Sequence, residues 1–87
     1  MRFQGALIKE QGVTFAIVIV KYHVVRNRIE ATKAIQAFQP AFPGVPIVLM
    51  GQDSRGLPYY FGRKDIVKFL SKIPISAIRW KWYTVNL

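Results

Sequence analysis

The run VTFAIVIVKYHVV at positions 13–25 limits the fold more than any other part of the chain. Read by alternation, one set is Ala16, Val18, Val20 and Tyr22, and the other is Phe15, Ile17, Ile19, Lys21 and His23. Successive strand residues point to opposite faces of a sheet. Both sets begin apolar, so the segment reads as a central strand with cover on each face. The rest of the chain, or a partner subunit, has to supply that cover.

The supply is small. Eighty-seven residues make a single domain, 1–87, with a modest core. Apolar residues are 52% and charged residues 20%, a globular rather than a disordered composition. There is no cysteine, which excludes disulfides, thiolate catalysis, cysteine zinc sites and iron–sulfur clusters. It also fits a reducing, cytoplasmic setting. The run at 13–20 falls short of the roughly 20 residues of a membrane span. The start, MRFQGALIKE, has no apolar stretch ending at a cleavage site, so no signal peptide and no membrane partner are expected.

Residues 3–10 form a second strand-like run, joined to the first through Gln11-Gly12 in the manner of a hairpin. Asn27 is placed as a helix N-cap with Glu30 as its reciprocal partner, and Ala31, Ala34, Ile35 and Phe38 make the apolar stripe. Pro40 stops that helix, and Pro43, Gly44 and Pro46 stiffen the connector to a buried strand at 47–50. Asp53-Ser-Arg-Gly56 has turn chemistry and leads into Leu57-Pro-Tyr-Tyr-Phe61, where Pro58 suits an edge strand. Ile66, Phe69, Leu70 and Ile73 mark a second amphipathic helix, and 76–85 a last strand. The order is ββαββαβ. It predicts an α+β fold, a ferredoxin-like two-layer sandwich with an extra N-terminal strand and both helices on one face. A thioredoxin-like arrangement is the alternative.

Catalytic motifs do not assemble. Gly51 and Gly56 are spaced like the ends of a phosphate loop, but Leu57 and Pro58 stand where lysine and a hydroxyl residue are needed. His23 is the only histidine, which leaves no spaced zinc set. Ser54, Ser71 and Ser76 lack a nucleophile-elbow context. No cofactor and no enzymatic activity are expected. Gly62-Arg63-Lys64-Asp65, a helix start beside two cations, reads either as an anion site or as plain capping by Gly62 and Asp65.

Charge is the loudest signal: thirteen Lys and Arg against four Asp and Glu, a net +9. Such a surface favours polyanions, either nucleic acid or an acidic protein. With the helices over Ala16, Val18, Val20, Ile78, Trp80 and Trp82, the other face would present Lys21, Arg79, Lys81 and Tyr83. Cations and rings on an open sheet are how single-stranded nucleic acids are stacked and held. Lys64, Lys68 and Lys72 make a helical stripe that could assist. The same face would also expose Phe15, Ile17 and Ile19, an apolar patch suited to a homodimer interface. The expectation is a small basic nucleic-acid-binding module; the alternative is a non-catalytic protein-interaction subunit that homodimerises through that face.

Overall fold

The computed structural model describes residues 1–10 and 12–86, which form a small mixed α+β domain with a five-stranded sheet and three helices. The strands are β1 (Arg2–Glu10), β2 (Val13–Ile19), β3 (Ile47–Gln52), β4 (Pro58–Phe61) and β5 (Lys81–Thr84). The helices are α1 (Tyr22–Val25), α2 (Arg28–Phe38) and α3 (Lys64–Leu70), with short 3-10 turns at Gln39–Ala41 and Ile75–Ala77. In the sheet the order is β4-β3-β2-β1-β5, and of the four pairings only β2–β3 is parallel. Gln11, half of the link expected between the first two strands, lies outside the described residues.

Three expectations are corrected. The first is the strand at 13–25, which ends at Ile19. The Val20 N–H still donates to the Met50 carbonyl at 2.9 Å, and the chain then coils into the single turn of α1. That turn sits on Gly51. A Cβ there would come within 2.9 Å of Val25 Cγ2 and 3.0 Å of the Tyr22 Cα, so only glycine leaves the seat open. Packing overrides the strand propensity of Val24 and Val25.

The second is the ferredoxin-like order. A split βαβ would hold another strand between the two parallel ones. Here β2 and β3 are bonded neighbours, with Val18 level with Leu49. The N-terminal strand is not an added margin either. It lies between β2 and β5, with Gly5 opposite both Val18 and Lys81. The order matches neither the ferredoxin-like nor the thioredoxin-like arrangement.

The third is the placement of both helices on one face. One core packs Phe3, Ala16, Val18 and Leu49 against Ala31 and Phe38 of α2. A separate core packs Ala6, Phe15, Ile17, Val48 and Met50 against Ile66 and Leu70 of α3. The reason is direction. The β2-to-β3 crossover runs one way along the sheet, and the path from β3 through α3 to β5, parallel to it, runs back the other way. Right-handed crossovers in opposite directions put their helices on opposite faces. β2 is therefore covered twice, with Ala16, Ile17 and Val18 all at 0% exposure.

Local signals hold the joints. Asn27 Oδ1 accepts from the Glu30 N–H at 3.0 Å, while the Glu30 carboxylate turns to His23 Nε2 at 3.6 Å instead of closing a capping box. Gln39 Nε2 donates to the carbonyls of Phe42 and Val45, pinning the proline connector. Asp53 Oδ1 accepts from the N–H groups of Arg55 and Leu57, and Gly56 closes the turn at φ +81°. That turn is the one its sequence predicts. Among the described residues, no helix is long and apolar enough to cross a membrane.

Candidate nucleic-acid interface

β5 sets the site, and its phase differs from expectation. Residues opposite one another in a sheet share a face. Gly5 faces both Val18 and Lys81, so Lys81 and Tyr83 belong to the α2 face, while Ile78 and Trp80 join Ile17 beneath the other. Tyr83 is consequently no free ring. It stacks on Phe3 at 5.6 Å between centroids and meets Phe42 at 4.9 Å.

The available ring is Trp82, which the sequence reading put under the helices. It stands opposite Gln4 on the α3 side and is 59% exposed, with the Arg2 guanidinium carbon 4.7 Å from the ring centroid. Helix length explains the exposure. The seven residues of α3 span about 10 Å. Five strands measure about 19 Å across. α3 shields the strands at the β4 side and reaches β1 at Ala6, and the Trp82 end of β5 runs out from under it. That signal was present in the sequence, in the short distance between Gly62 and Pro74.

The expected nucleic-acid residues do not form one surface. Arg79 and Lys81 are exposed beside Trp82. Lys21 is exposed past the end of β2, two strands away and three residues further along than Val18, which is level with Lys81. Lys64 and Lys68 border a groove with Tyr60 and Phe61, at the opposite edge of the sheet, and Lys72 is exposed beyond the end of α3. The proposed dimer patch is also corrected. Phe15 is 2% and Ile17 0% exposed, and Ile19 is half-buried, all packed in the core that α3 closes.

Charge is poorly compensated. Among the described residues, Arg55 and Arg63 alone of the thirteen Lys and Arg pair with a carboxylate. Arg63, rather than Gly62, is the N-cap residue of α3. Its guanidinium grips Asp65 with two bonds, Nε to Oδ1 at 3.0 Å and Nη2 to Oδ2 at 2.6 Å. The bond holds the Asp65 carboxyl below its ordinary range and raises Arg63. Of the two readings of this helix start, the acid within the chain is the one that engages Arg63. Comparison with known proteins finds no matching family model, no matching curated protein and no matching solved structure.

Proposed function

We propose that the chain is a nucleic-acid-binding module that takes a single strand along the β1–β5 edge. One observation carries this: the exposed Trp82 ring with Arg2 across it. A ring free in solvent forgoes burial, whereas a base stacked on it restores about 1–3 kcal/mol and does so for any base. Arg2 holds one side of the ring and supplies a donor fork for phosphate. From an edge strand, the Lys81 side chain reaches the same border from the other face, where it neutralises the backbone, and Arg79, exposed just before the strand, adds a second cation. No Asp or Glu occurs in residues 1–9 or 80–86 to oppose Arg2 and Lys81, whereas Arg79 shares a cleft with Glu10.

The reading assigns no catalytic step. Its test is titration of labelled single-stranded DNA and RNA at several salt concentrations, with tryptophan fluorescence as a second readout. Affinity should fall with salt, each phosphate contact contributing about 0.7 to the log–log slope. Trp82→Ala should weaken binding at every salt concentration, and Lys81→Ala should flatten the slope. Binding that ignores both substitutions ends the proposal.

A further inference from the structure

The other edge of the sheet carries a different message. β4, Pro58-Tyr-Tyr-Phe61, pairs only with β3, has no charged residue, and every residue in it is half-buried. Edge strands are normally blunted by charge, proline, a bulge or a covering segment. Pro58 removes the donor at one of the two outward-facing positions, and Tyr60, with Gly62 just beyond, keeps the others open.

Cations instead flank this edge from both faces. On the α2 side, the Arg26 guanidinium carbon lies 5.4 Å from the Tyr59 ring centroid. On the α3 side, a shallow groove of about 420 Å³ runs along Tyr60 and Phe61, bordered by Lys64 and Lys68 and walled by Val67. No carboxylate lines that groove, and Asp65, the acid of α3, is already held by Arg63.

We propose that β4 is a docking edge for an acidic, extended segment of another protein, which adds to the sheet as a sixth strand. The strand's free backbone groups supply the pairing, and flanking side chains supply the selectivity. Alternate residues of an added strand point to opposite faces, so acids on one set meet Lys64 and Lys68 and acids on the other meet Arg26. A second copy of this chain is a poor occupant. Pairing β4 with β4 would set these cations against their own images on chains of +9 each. A nucleic acid brings the charge but not the ladder of amide donors.

The probe is a blocked, fluorescein-labelled ten-residue peptide, Glu-Glu-Val-Val-Glu-Glu-Val-Val-Glu-Glu, which carries acids on both alternate sets, titrated against the whole chain. Companions are its lysine–valine counterpart, two versions N-methylated at odd or at even residues, and an oligo-deoxythymidine strand. Only one set of amides in an added strand faces its neighbour, so one methylated version should lose at least about tenfold in affinity and the other little. Amide NMR shifts should fall on residues 59–62. Joint Lys64→Ala and Lys68→Ala substitution, at exposed positions, should weaken binding about fivefold and leave the circular dichroism unchanged. Any of four results overturns the proposal: equal affinity of both methylated peptides and the parent, no loss on lysine removal, shifts on β5, or displacement of the peptide from 59–62 by the oligonucleotide. Absence of binding at millimolar peptide and low salt does so as well.

Discussion

β4 and β5 are both four-residue edge strands of one sheet, and they are handled in opposite ways. β4 is all ring and proline, half-buried against α1 on one side and α3 on the other. β5 is Lys-Trp-Tyr-Thr, with three of its four residues exposed. Aromatic content does not separate them. Cover does. On the α2 side the cover reaches Phe3 and Tyr83, while on the α3 side it stops short of Trp82, so a tyrosine at one margin is structure while a tryptophan at the other is surface.

The sharpest way to break that contrast is to put the same charge in both halves of one face. Ile17→Lys and Trp82→Lys both place an ammonium on the α3 side of the sheet. At Ile17, fully buried, it has no carboxylate to meet and should cost 4 kcal/mol or more by rough estimate, enough to prevent folding at 25 °C. At Trp82 the chain should stay folded with a change near 1 kcal/mol, mostly the lost cation–π contact. Urea unfolding decides, and similar losses at both sites would erase the distinction.

The next effect is on binding. Trp82→Ala should reduce affinity for single-stranded DNA by about 1–3 kcal/mol, roughly 5- to 150-fold. Tyr59→Phe, at the other edge, should leave that affinity unchanged. Equal losses would mean that the two edges share one ligand surface.

A smaller change has an unusual sign. The Tyr60 hydroxyl is buried with no hydrogen-bond partner among the described residues, and burial raises its pKa. Tyr60→Phe removes the orphaned group and should stabilise the chain by about 1 kcal/mol. Because the folded-state pKa lies above the unfolded one, the folded protein keeps a proton that the unfolded chain releases. The wild-type chain should therefore lose stability as pH climbs past about 10, and Tyr60→Phe should lose less. Thermal unfolding across that range reads the difference. A drop in stability on substitution would show that the hydroxyl has found a partner.

The smallest effect belongs to the exposed pair at the start of α3. Arg63→Ala should return the Asp65 carboxyl upward toward its ordinary range, since its hydrogen bond to Arg63 is the main cause of the depression. The sign is fixed. A depressed carboxyl contributes above its unfolded pKa, and the contribution fades as pH falls through the folded value. Carboxyl NMR shifts of Asp65 against pH measure it, while global stability at pH 7 should barely move.

Legibility in the sequence tracked how local each device is. The Asn27 cap and the Asp53–Gly56 turn close within four residues, and side-chain chemistry alone announces them. The run at 13–20 likewise declared two covered faces, because a residue set apolar on both sides has only one comfortable place. What supplied the second cover was not legible. Alternation asks for a partner subunit over Phe15, Ile17 and Ile19, where the chain uses its own α3. The error began with strand order, a non-local pairing that alternation does not encode. It spread to β5, whose residues alternate as expected among themselves but whose face depends on Gly5. Trp82 was misread for a simpler reason: its apolar character says core, and only the short reach of α3 says otherwise. For the chemistry of the site, charge was legible and placement was not.

The Met1 amino group donates to the Val85 carbonyl at 2.9 Å, and the Val85 N–H donates back to the Met1 carbonyl at 2.9 Å. These bonds join residues 84 apart in the chain and continue the pairing of β1 with β5. During synthesis β1 therefore acquires one neighbour almost at once, from the hairpin, and the other only after residues 81–84 have emerged. For that interval the nascent sheet ends at β1 instead of β5, with Phe3 not yet covered by Tyr83. Such a margin is a template for mispairing while it lasts. Closing it means closing a loop of nearly the whole chain, an entropic cost that the local hairpins escape. The arrival of β5 is thus the event that takes β1 out of reach of such mispairing.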